Sequence, residues 1–287
     1  MAEDSPAPAR RMWQVYEPIH AVVYFAPEPA QACKDLGLRG WWMGYFAGRF
    51  APLGAIGPEA VTAMAFGFAP AMVARSLPDA WSHADPHQVM VARSDAVADA
   101  LRSRLPAGEG GELAELAALL WAAVDAATFD GRPLAAAWSA VPRPADPVAS
   151  LWLATTVLRE HRGDGHVLAN VAAGVSGLEA GLLHEATGAV TREALQPNRG
   201  WTDEAWERAG AALRERGLLR DDGLLTAGGL SLRREIEATT DRLAAVPLDA
   251  LGAAGVQRAL ELATPLARHV IDAGVVPVPN PIGVARP

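Results

Sequence analysis

At 287 residues the chain exceeds one typical helical core, so two domains, or two intimately packed halves, are the starting expectation. With 51% hydrophobic and 20% charged residues it falls outside the disordered class and has ample material for a core. The net charge of -8 repels polyanions and anionic membranes, so any nucleic-acid role would need a local basic patch. The single cysteine, Cys33, excludes an internal disulfide, and the first residues carry charges and prolines where a signal peptide needs an apolar run; the cytoplasm is the expected compartment. The longest apolar stretch, residues 60–73, is shorter than a membrane span and is interrupted by Gly67 and Pro70, so no transmembrane helix and no membrane partner are expected.

In chain order, residues 6–8 mark a loose start, and Glu17 followed by Pro18 predicts a helix over 18–25 with proline in its first turn. Residues 38–53 are dense in aromatics (Trp41, Trp42, Tyr45, Phe46, Phe50) with Gly40, Gly44 and Gly48 between them, a composition suited to close helix contacts or to the wall of a ligand cavity. Pro58 opens a helix to about Arg75. Amphipathic helices over 85–104 and 112–127 flank an exposed turn at 106–111. Pro142, Pro144 and Pro147 mark the clearest internal boundary, near residue 145, after which a helix over 148–162 is expected to stop at Gly163.

In the second half, residues 178–187 predict a short helix closed by Gly188, residues 191–195 a second, and Thr202 caps a third that runs to about Arg216. The run from Gly217 to Gly228 carries two short apolar pairs around Asp222 and Gly223. That is a hairpin signal, and its place after an amphipathic helix resembles the wing of MarR-type winged helices. Helices over 230–243 and 248–271 follow, and the proline-rich tail is expected to be extended or loose. The fold expected is mainly α: a helical, aromatic-rich domain over 12–144, packed with a winged-helix-like domain over 145–272 that bears a short β-hairpin wing, then a Pro-rich tail over 273–287.

Four motifs extend the comparison to the whole chain: VYEPIHAVVYFAPE (15–28), LGLRGWWMGYFAGRFAPLG (36–54), LREHRGDGH (158–166) and LQPNRGWT (195–202). Through them the chain, over about residues 12–270, resembles a family of actinobacterial proteins with a helix-turn-helix-like domain. The resemblance implies the two-part helical architecture and brings no catalytic residues, so function has to be argued from chemistry.

DNA binding is the first function the fold suggests. The reading helix would begin Thr202, Asp203, Glu204, Ala205, Trp206, Glu207, three acids and an indole where phosphates would have to lie. DNA binding is therefore not expected, although Arg208, Arg214, Arg216, Arg220, Arg233 and Arg234 leave a displaced basic surface open. A scaffold or dimerisation role is the plainer reading of the unit, since fold alone does not imply function.

Two polar clusters carry the chemistry. Glu17, His20 and Tyr24 sit three and four residues apart on one helical face, so they form either a general acid/base group with His20 near neutral pH or a hydrogen-bonded helix start. Residues 159–166 read Arg-Glu-His-Arg-Gly-Asp-Gly-His. A bend at the glycines would turn His166 and its orienting partner Asp164 toward Arg159, Arg162 and His161; the alternative is a capped helix followed by an aspartate N-cap. No spacing matches HExxH or paired cysteines, and no nucleotide or haem motif is present, so neither a metal nor a cofactor is expected.

Two functions follow. In the first, Trp41, Trp42, Tyr45 and Phe46 enclose a largely apolar metabolite, Arg49, Arg159, Arg162 and His161 help to bind it, and His166, Asp164, His20, Glu17 and Tyr24 perform cofactor-free acid/base chemistry of the cyclase, lyase, isomerase or hydrolase type in secondary metabolism. In the second, the same cavity senses a ligand for a winged-helix regulator. A small molecule is the expected partner in both, and a homodimer remains open.

Overall fold

Proline sets where many of the helices begin. In a computed structural model that describes residues 6–105, 110–280 and 282–287, the first part of the chain forms α1 (Pro8–Phe25), α2 (Pro27–Asp35), α3 (Gly40–Phe50), α4 (Pro58–Ala65), α5 (Pro70–Ala74), α6 (Pro86–Arg102), α7 (Gly110–Asp125), α8 (Pro133–Ser139) and α9 (Pro147–Ala172). Proline occupies the first turn of all of these except α3 and α7, where its missing N–H costs nothing and its fixed φ favours the helix. The second part forms α10 (Gly177–Glu185), α11 (Arg192–Arg199), α12 (Asp203–Glu215), α13 (Ala227–Asp249) and α14 (Gly252–Asp272). Thr202 caps α12 by accepting from the Ala205 amide, as its position suggested.

Two hydrophobic cores result. The larger takes Ile19, Phe46, Phe50, Leu134, Trp138 and Trp152, crosses residue 145 without a break, and recruits Leu248, Leu266, Val276 and Val284 from the far end of the chain. The smaller packs Leu182, Leu183, Leu195, Trp206, Leu213 and Ile236 from α10 to α13. α9 serves both, with Leu158 in the larger core and Ala169 in the smaller. Among the described residues no single helix is long and apolar enough to cross a membrane.

The smaller core docks on the elbow between α4 and α5. Phe66 there has a φ of 49°, unusual for a bulky side chain, and breaks the helix expected to continue to Arg75. The elbow is held from outside: Trp201 Nε1 donates to the Gly67 carbonyl at 2.9 Å, and the Ala69 amide donates to the Arg199 carbonyl at 2.8 Å. Gly177 must be glycine, because a Cβ would lie 1.8 Å from the Phe66 carbonyl oxygen.

Several expectations are corrected. The β-hairpin wing is absent: among the described residues there is no strand, and Leu219 and Leu225 form one isolated antiparallel bridge. Its segment is too short to be otherwise, since Gly217 closes the turn after α12 and Thr226 already caps α13, leaving two residues on each side of the turn. The class is all-α. Pro18 lies inside α1 instead of opening it. Gly163 does not stop α9, which runs on to Ala172; Gly165 instead lets Arg132 approach, since a Cβ would lie 3.0 Å from its Nη1. The tail after α14 is not loose, because Asn280 pins it by accepting from the Ile282 and Val284 amides and donating to the Pro277 and Val284 carbonyls. Of the turn expected at 106–111, residues 106–109 lie outside the described residues.

Candidate functional site

Because α9 is unbroken, its polar run is sorted by helical period. Arg159, Arg162, Gly163 and His166 share one face and line a chamber of about 400 Å³ between the two cores. Glu17 and Arg49 come to this chamber from α1 and α3. The opposite wall is His184, Arg199, Trp201 and Trp206, and α13 adds Arg233, Glu237 and Thr240. A second chamber of about 430 Å³ is lined by Tyr24, Trp41, Trp42, Tyr45 and Phe68; it shares Arg49, Arg159, Arg199 and Ile282 with the first. Those four residues mark the junction.

A buried ionic network supports the junction. Arg49 grips Glu160 in a fork, Nε to Oε1 and Nη2 to Oε2, both at 2.8 Å, and also donates to the Tyr45 hydroxyl at 3.0 Å. Arg159 donates to Glu160 at 2.9 Å and to Glu17 at 3.3 Å, and Trp13 Nε1 donates to the other oxygen of Glu17 at 3.0 Å. Burial works against the Glu160 carboxylate, but Arg159 and then Arg49 outweigh it and hold its pKa below the ordinary range. Burial likewise opposes the charge on both arginines, and Glu160 first among their neighbours reverses the effect, so both pKa values are raised. Arg162 pairs with Asp241 at 2.8 Å, which also takes Arg10 at 2.9 Å.

The two histidines singled out by sequence have different fates. His20 is 1% exposed and lines neither chamber. Thr156 donates its hydroxyl to the Trp152 carbonyl, so it accepts from His20 Nδ1–H at 3.0 Å, and His20 Nε2 accepts from the Tyr24 hydroxyl at 3.1 Å. Stacked on Trp152 and sealed by these bonds, it has a pKa far below its ordinary value, through burial and then Arg159. His166 faces the first chamber. Thr240 donates to the Ile236 carbonyl and therefore accepts from His166 Nδ1–H at 2.9 Å, which leaves Nε2 as a lone-pair acceptor with no partner among the described residues. Burial, then Arg162 and Arg233 against the opposing pull of Glu237, lower its pKa, so the imidazole is neutral near pH 7.

Asp164 does not orient His166. On the far side of α9, its Oδ2 accepts from the Leu134 and Ala135 amides at 3.1 and 3.0 Å, capping α8 whose own N-cap, Arg132, supplies no side-chain acceptor. Burial outweighs those amides and lifts its pKa to about 6. His161 also points away from the chambers, bonding the Thr128 carbonyl at 3.1 Å, with its pKa lowered to about 4 by burial and then Arg132. Phe46 is fully buried and packs behind Trp42 and Tyr45. Sequence reasoning missed Arg199, Arg233, Phe68 and Thr240 as chamber residues and Glu160 as the hub of the network. Arg199 was visible only as part of the motif LQPNRGWT. Among the described residues no group of three or more His, Cys, Asp or Glu side chains is placed to hold a metal ion.

These features define an all-helical, two-core protein with a charged internal chamber. The chain belongs to the helix-turn-helix family, whose sequence model matches residues 9–277, so membership covers both cores and not α10–α12 alone. No curated protein and no solved structure matches it.

Proposed function

We propose that this helix-turn-helix family protein binds a small molecule in the chamber between its two cores, with α12 serving as a wall of that chamber. The observation that carries the reading is convergence: Arg159 and His166 from one core face Arg199, Trp201 and Trp206 from the other, around a volume suited to a metabolite. The outward face of α12 argues against DNA. Asp203, Glu204, Glu207 and Glu215 are exposed there beside Arg208, and Arg192 is occupied by Asp203 and Glu207.

The test uses a neutral fluorophore, N-phenyl-1-naphthylamine, whose emission rises in an apolar site. Saturable one-to-one binding is expected, and Gly181→Phe, which places a ring at the chamber wall where a Cβ meets only ordinary contacts with Leu195 and Trp206, should weaken it at least tenfold. Absence of saturable binding would remove the reading, and a DNA shift with steep salt dependence would put the ligand-responsive regulator in its place.

A second reading, acid/base catalysis without a cofactor on a ligand held there, draws on one observation. His166 lines the chamber as a neutral imidazole whose Nε2 lone pair has no partner among the described residues, the state required of a general base. Its catalytic partner is not Asp164; Thr240 fixes the tautomer.

A further inference from the structure

Charge is unevenly matched at the junction of the two chambers. Three arginines meet there, Arg49, Arg159 and Arg199. Glu160 is shared by the first two, and Glu17 serves the second. Arg199 has no carboxylate partner among the described residues; its guanidinium lies 4.6 Å from the centre of the Phe68 ring, and its one polar contact is Nη1 to the Asn198 carbonyl at 3.4 Å. Two carboxylates thus face three guanidinium groups in a site walled by protein, where a missing counter-charge costs more than at the surface. The cation–π contact with Phe68 anchors the Arg199 guanidinium beside the junction, and a guanidinium is suited to planar, two-point recognition of a carboxylate.

The second chamber supplies the rest of the description. Trp41 stacks on Tyr45 at a centroid distance of 5.2 Å and is 45% exposed, and Trp42 and Phe68 meet edge to face at 5.7 Å. The walls are thus aromatic, open at Trp41, and charged only where they reach Arg49, Arg159 and Arg199. Resting on the ligand-binding reading above, we propose that the ligand is an aromatic or similarly flat apolar monocarboxylate, its ring among Trp41, Trp42, Tyr45 and Phe68 and its carboxylate on Arg199 at the junction. At the junction, which Arg233 does not reach, the one uncompensated positive charge selects a monoanion over a phosphate dianion.

The experiment compares 2-naphthoate with its neutral isostere 2-naphthamide by isothermal calorimetry in chloride-free buffer at pH 7. The wild type should bind the carboxylate at least tenfold tighter than the amide, the scale of one charge-assisted hydrogen bond. Arg199→Gln should abolish that preference while amide affinity and melting temperature stay as they were, and Arg208→Gln, on the exposed face of α12, should leave the preference intact. Equal binding of both compounds by the wild type, or a preference that survives Arg199→Gln, overturns the monocarboxylate assignment and leaves the chamber reading standing. Failure of both compounds to bind, together with failure of the neutral fluorophore, overturns the chamber reading and the assignment with it.

Discussion

The two walls of the chamber treat charge in opposite ways. On the wall formed by α1, α3 and α9, Arg49, Arg159 and Arg162 each meet a carboxylate, and Glu160 is almost wholly enclosed by its partners. On the wall formed by α11 and α13, Arg199 and Arg233 line the chamber with no carboxylate partner among the described residues. Burial lowers the pKa of both, and it is reinforced at Arg199 by Arg49 and Arg159. The contrast separates two uses of arginine. A paired, buried guanidinium is part of the protein's own structure; an unpaired one beside a cavity is positioned for something the protein does not contain.

The largest effect should come from breaking the paired side. Glu160→Gln keeps the shape but strands the buried Arg49 and leaves Arg159 with Glu17 alone, and a loss of about 3–5 kcal/mol in chemical denaturation is expected, against the much smaller cost of an exposed pair. A loss below about 1 kcal/mol would mean that the network is not what holds α3 to α9.

Next in size is a pH effect. His161 titrates at about 4 in the folded chain against an ordinary 6.5, so its contribution is fully present above pH 6.5 and is lost as pH falls toward 4; the limit is about 3 kcal/mol. His20, His166 and His184 are shifted the same way. Asp164, raised to about 6, acts in the opposite sense, because the folded chain holds its proton between about pH 4 and 6 and that contribution disappears as pH rises through 6. Denaturation at pH 7 and pH 5 should therefore show net acid destabilisation, and His161→Gln should flatten the profile. An unchanged slope in the variant would contradict the buried, neutral assignment.

The smallest effect belongs to the outer face of α12. Asp203→Asn with Glu207→Gln removes exposed partners of Arg192 and should leave the denaturation midpoint unchanged, since the pairs are solvated. If the same change created tight, salt-sensitive DNA binding, the acidic face would be an autoinhibitory feature and not a bystander.

Much of the helix pattern was legible because proline and cap residues announce starts: Pro58 and Thr202 each open the element their position predicts, and Pro147, read as part of a boundary, is itself the first residue of α9. Stops were harder. Gly163 looked like a terminator, yet tertiary packing around Arg132 uses the neighbouring glycine for close approach and the helix continues. That one difference rearranged the site: with no bend, Asp164 and His166 lie on different faces of α9, and the expected pair dissolves. The clusters over 17–24 and 159–166 do meet, through Glu17 and Arg159, because both lie on helices that pack along the same core. Arg199 and Thr240 were hidden because each gains its role from a partner far away in sequence, Phe68 for one and His166 for the other.

Hydrogen exchange in the presence of saturating N-phenyl-1-naphthylamine tests the central claim most directly, since a ligand between the two cores must slow exchange on both walls together. Protection is expected in the segments around 159–167 on α9 and 195–206 across α11 and the start of α12, with the exposed stretch 220–224 unaffected. Protection confined to one wall, or spread over exposed segments alone, would contradict a binding site between the cores.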